Sequence, residues 1–146
     1  MKGKLIWVIF WVMVAVFVIM VAMMFVAPAL DFPIPNIIFP AFAVLVGLGV
    51  TLIVLTVKKK VAGMLKKFLL LTGASAVGLP VFAVLHNLIY GLFIWIFGAD
   101  FWGAAGDEPV FFIIATIVCP IGFLVGIVGT IVLTIKNKSN VTAVTP

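Results

Sequence analysis

The 23 residues from Leu5 to Ala27 carry no charged side chain, and this run limits the fold more than any other feature. A hydrocarbon core about 30 Å thick needs roughly 20 apolar residues of helix to cross it. At roughly −0.3 to −0.6 kcal/mol for each strongly apolar residue, insertion of such a run is favoured. Three further stretches meet the same requirement: about Asn36 to Val57, a stretch within Leu65 to Phe97 (about 68–97), and Pro109 to Ile135. In lipid every backbone polar group needs an internal partner, so spanning segments are helices or strands of a closed barrel. These runs do not alternate apolar with polar residues, which excludes the barrel. The sequence predicts an all-α, polytopic integral membrane protein, with four transmembrane helices in a small bundle and a single membrane domain over 1–146.

Composition agrees. The chain is 66% hydrophobic and 9% charged, whereas soluble domains average about 45–50% apolar and about 25% charged residues. With 146 residues there is room for one helical unit. The single cysteine, Cys119, excludes a disulfide framework and a CxxC redox pair. Arginine is absent, and with it the planar fork that grips phosphate or carboxylate at two points.

The net charge of +5 suits a membrane surface better than nucleic acid once its distribution is read. Lys2 and Lys4 precede the first span, Lys58, Lys59, Lys60, Lys66 and Lys67 separate the second from the third, and Lys136 and Lys138 follow the fourth. Short cytoplasmic flanks accumulate lysine, so threading four spans gives an N-in, C-in topology. Asp31, Asp100, Asp107 and Glu108 then all fall on the opposite side. The localisation expected is multi-pass in a cell membrane, plasma or bacterial inner. The expected partners are the bilayer itself, with anionic headgroups meeting Lys58, Lys59, Lys60, Lys66 and Lys67, and another membrane protein or a second copy. Attraction to anionic lipid is worth about 1 kcal/mol per lysine. Ala27-Pro28-Ala29 imitates a small-residue cleavage site, but the run before it is far longer than the 7–15 residues of a signal peptide's apolar region.

The connection from Pro28 to Pro40 contains four prolines and cannot be helical throughout; its Asp31 reads as a loop acid. Phe101 and Trp102, between Gly98 and Glu108, suit the headgroup level. Asp107-Glu108-Pro109 reads as a helix start, with acids at the positive end of the dipole and proline in the first turn; a cation site is the alternative. The tail 137–146 is polar and short, and is expected to be disordered.

Small residues recur along the fourth span at Ala115, Cys119, Gly122, Gly126 and Gly129, at spacings of 4, 3, 4 and 3, which keeps one face toward a partner helix. On this seam Cys119 reads as a small packing residue. The third span has a similar series, Gly73, Ala76, Pro80, Ala83 and Asn87, so the two helices are expected to pack seam to seam. Pro80 should kink or break its helix. The first span, with no such series, is expected to be an anchor facing lipid or a partner. Its methionines fill gaps or face lipid.

His86, Asn87 and Tyr90 form the polar cluster within a span, with His86 and Tyr90 on one face. Counted along the helix from Lys67 and Asp100, His86 lies between the midplane and the outer interface. Polar groups at that depth are a functional hypothesis by default, and histidine can relay protons. The competing reading is interhelical hydrogen bonding at about 0.6 kcal/mol per bond. Enzymatic hydrolysis or transfer needs a nucleophile with a base, paired carboxylates or a metal set, and the sequence shows no acidic or thiol partner for the histidine. The expectation is a non-enzymatic accessory, assembly or scaffold subunit, binding no cofactor or metal and acting through transmembrane helix packing. The alternative is a small oligomeric channel or transporter with its site at His86, Asn87 and Tyr90.

Overall fold

The computed structural model describes residues 4–26, 35–103 and 106–142. Among them there are helices and turns and no strands: α1 (Lys4–Val26), α2 (Pro35–Lys58), α3 (Gly63–Phe97), α4 (Pro109–Ile113), a π-helical turn (Ile114–Val118) and α5 (Cys119–Thr142). The last three run into one another, so four helical segments are long and apolar enough to cross a membrane. The expectations for Asp31 and the prolines before Pro35 lie outside the described residues. Proline at the head of α2 fits because its missing N–H has no partner in a first turn anyway.

One expectation at a helix end needs correction. The tail expected to be disordered from residue 137 continues α5 to Thr142. Ser139 Oγ donates to the carbonyl of Lys136 at 2.9 Å. Of the kink or break expected at Pro80, the break does not occur: α3 runs for 35 residues with Pro80 buried inside it.

The turn between α2 and α3 is tight. Lys60 sits at φ 52°, in the left-handed region that ends many helices. Its N–H donates to the Val57 carbonyl at 3.1 Å, and the Val61 N–H reaches back to Thr56 at 3.3 Å. This pair of bonds is a Schellman closure, with lysine in the place where glycine is usual. Val61 and Leu55 then both pack on the core, the apolar contact that accompanies this closure.

Consecutive helices are neighbours, and α3 is central, packed on α2 through one face and on α5 through another. The core takes Ile6, Phe10, Met13 and Phe17 from α1, Leu45 and Leu52 from α2, Leu69 and Ala76 from α3, and Phe123 from α5. This overturns the anchor reading of α1, whose spacing of 4, 3 and 4 is a seam of large side chains, with Phe10 and Met13 fully buried. Phe17 packs on Phe123 with ring centroids 4.1 Å apart, so α1 also touches α5.

The α5 stripe does face α3, in antiparallel register. Cys119 lies against Gly78, Gly122 against Ser75, Gly126 against Thr72 and Gly129 against Phe68. Each step of three or four residues down α5 is matched by one up α3. A side chain on Gly126 would overlap Thr72 Oγ1 and come within 2.8 Å of its backbone nitrogen. The α3 half of the expected pairing is corrected: Gly73 and Ala76 face α2. A Cβ on Gly73 would meet Ile53 at 2.8 Å and the Gly49 carbonyl at 3.0 Å, and a Cβ on Gly49 would meet Ala76 at 3.4 Å. Small residues thus permit close backbone approach on two faces of α3, and the face with Ser75 and Gly78 is the one that meets α5.

The π turn has a local cause. Pro120 follows it, and a proline ring clashes with the carbonyl four residues back in a regular helix. Widening the turn before it, where the Cys119 N–H reaches back to Ile114, relieves that conflict.

A polar and aromatic clasp where the fourth helix begins

The segment after α3 does not lead straight into the fourth helix. It leaves Phe97 through Gly98 at φ 95° and turns again at Gly103 (φ 47°) and Gly106 (φ 68°), conformations open to glycine and strained for other residues. By Glu108 the chain is level with His86. From His86 to Phe97 α3 runs eleven residues further, about 16 Å at 1.5 Å per residue, so α3 overshoots the start of α4 and the loop folds back along it.

Aromatic rings hold that loop down. Trp102 stacks on Tyr90 at 6.1 Å and donates its Nε1 proton to the Tyr90 carbonyl at 3.3 Å. Phe93 lies 5.0 Å from Phe101 and 5.6 Å from Trp102. Such pairs add about 0.5–1.5 kcal/mol beyond burial. One turn deeper, Phe82 stacks on Phe111 at 6.0 Å.

The polar centre is His86 with the two acids. Its Nδ1 lies 3.0 Å from the Glu108 carbonyl oxygen, which can only accept, and that assigns the ring proton to Nδ1. The same nitrogen is 3.4 Å from Glu108 Oε2, and Nε2 is 3.5 Å from Asp107 Oδ2. The Glu108 carboxylate, 5% exposed, is already engaged: Oε1 accepts from the Val110 N–H at 2.8 Å and Oε2 from Phe111 at 2.9 Å. Asp107 Oδ1 accepts from the Glu108 N–H at 2.8 Å. These acids cap α4 by occupying backbone donors that have no partner inside the helix, and their charge complements its dipole. Among the described residues no group of three or more His, Cys, Asp or Glu side chains is arranged to hold a metal ion.

The residues singled out in the sequence separate in the fold. His86 acquires the acidic partners that the linear sequence does not reveal. Tyr90 is half-buried beneath Trp102. Asn87 is exposed and donates to the carbonyl of Ala83 within its own helix at 2.8 Å, so the bond across the seam expected of it is absent. Pro80 is buried and Ala83 half-buried on α3, while Ala115 and Cys119 are buried on the fourth helix. Lys58, Lys59, Lys60 and Lys67 are exposed around the α2–α3 turn, and Lys66 is half-buried there.

Sequence reasoning also missed Trp102 as a pin, Gly49 and Gly78 as contact glycines, and the π turn. Pro120 marked the turn; for the glycines the signal was ambiguous, because α3 has two small faces. Comparison with protein families, with curated proteins and with solved structures gives no match, so a functional reading has to rest on the geometry of the bundle and its clasp.

Proposed function

We propose that this chain is a non-enzymatic four-span membrane protein that serves as an accessory, assembly or scaffold subunit through transmembrane helix packing. The supporting observation is how its polar side chains are spent. His86 ties α3 to the cap of α4, Asn87 bonds its own helix, and Thr51, Thr72, Thr116 and Thr134 each donate to a carbonyl four residues back. Of these groups His86 joins two helices and the others are bonded within their own, while large apolar side chains face outward on every long helix.

The orientation belongs to the same proposal. The described lysines gather at one end of the bundle and Asp100, Asp107 and Glu108 at the other, which under the positive-inside rule puts both termini in the cytoplasm of a plasma or inner membrane. A membrane-impermeant thiol reagent tests this. Cysteines placed at 100 or 106 should label from outside intact cells, and one at 59 only after permeabilisation.

The scaffold reading is tested by crosslinking in native membranes followed by purification in mild detergent. A reproducible complex with a membrane protein or a second copy is expected; a strictly monomeric chain without partners contradicts it. One observation favours the second reading, a small oligomeric channel or transporter: Asp107 is half exposed and lies 3.5 Å from the half-buried His86. Flux in proteoliposomes that disappears in His86→Ala while the bundle stays folded would favour that reading.

A further inference from the structure

A groove of about 520 Å³ runs along the outward face of the α3–α5 pair, between Phe68 and a wall that includes Val125, Val128, Gly129, Val132 and Leu133. It is shallow and open along its length, and every lining residue is apolar. Gly129 makes its floor possible, because a Cβ there would overlap the Phe68 ring. The groove lies in the half of the bundle that carries the described lysines. Lys136 lies three and four residues beyond Leu133 and Val132, on the same helical face. Lys67 directly precedes Phe68, and both lysines are exposed. The described acids are at the far end of the bundle, so nothing acidic among the described residues offsets these charges.

We infer that this groove is a binding site for one anionic glycerophospholipid of the leaflet at the lysine end, its acyl chain against Phe68, Val128 and Val132 and its headgroup phosphate between Lys67 and Lys136. The inference rests on the membrane reading above. An apolar channel alone would accept any acyl chain; the lysine pair selects an anionic headgroup, at about 1 kcal/mol per charge near the surface.

The test is native mass spectrometry of the full chain in detergent, with dioleoyl phosphatidylglycerol against dioleoyl phosphatidylcholine. The expected result is retention of one lipid with a preference of up to about thirtyfold for phosphatidylglycerol, the scale that two lysines set. Lys67→Gln with Lys136→Gln should abolish the preference, Val128→Trp should abolish retention of either lipid by filling the groove, and Lys58→Gln with Lys59→Gln should change neither. Thermal melts matching the parent chain establish that these variants are folded. Equal binding of the two lipids, or equal loss in the Lys58/Lys59 variant, overturns the site. Oxidative crosslinking of Val128→Cys to a second copy also overturns it, by giving the groove to a dimer. Release of the chain from membranes by alkaline carbonate overturns the membrane reading beneath it, a failure distinct from an embedded chain with no lipid preference.

Discussion

The contact between α3 and the fourth helix is built in two different ways along its length. From Cys119 to Gly129 it is steric: glycines on α5 leave room for Ser75, Thr72 and Phe68, and the backbones close on one another. Beyond the π turn it is chemical, with Phe82 on Phe111, His86 on Glu108 and Tyr90 on Trp102. The first half gains dispersion contacts, individually small and collectively large, and has little tolerance for added volume. The second half depends on a few directed bonds, each of modest net worth. One half should therefore fail abruptly and the other by degrees.

Gly126→Leu should have the largest effect. Its side chain meets Thr72 and backbone atoms that cannot move independently, and overpacking typically costs about 1–3 kcal/mol, more where backbone blocks relaxation. A loss at or above about 3 kcal/mol is expected in reversible unfolding monitored by circular dichroism; a stability like the parent's would show that the helices are not in backbone contact. Glu108→Ala comes next, at about 1–3 kcal/mol, because it removes a cap from two backbone donors and the carboxylate 3.4 Å from His86, while leaving the backbone carbonyl that accepts from Nδ1. Glu108→Gln keeps an accepting oxygen and should lose less than half as much in the same assay. His86→Ala is expected to cost about 0.5–1.5 kcal/mol. Asn87→Ala, at an exposed position bonded only to its own helix, should stay within about 0.5 kcal/mol of the parent. A cost for Asn87→Ala equal to that of His86→Ala would blur the distinction between the clasp and the exposed surface.

The all-helical class and the four long apolar segments were legible because helix length and charge placement are local properties of a chain. The α5 stripe was legible for a related reason: glycine, alanine and cysteine stand out against valine and isoleucine. Its partner face was not, since α3 presents small residues in two directions and spacing identifies a face without saying which helix covers it. The core seam of α1 was hidden because Phe10 and Met13, which point inward, are as apolar as Val12 and Ile19, which point outward, and periodicity needs contrast. His86 and Glu108 are 22 positions apart, and their meeting depends on three left-handed glycines that fold a loop back along α3. Straight counting along α3 gives the place of His86 along that helix but not its neighbours. In the fold it is level with the residue that opens α4.

The measurement that bears most directly on the structural reading of this polar centre is a double-mutant cycle of His86→Ala and Glu108→Ala, unfolded in detergent. The cap of α4 is lost in both Glu108→Ala backgrounds and cancels, leaving the interaction of His86 with the Glu108 carboxylate, while the bond to the Glu108 carbonyl is lost in His86→Ala alone. If His86 serves to join α3 to α4, the coupling should be about 0.5–1.5 kcal/mol in favour of the pair. Coupling of zero, with His86→Ala leaving stability unchanged, would contradict the clasp and free the histidine for another role.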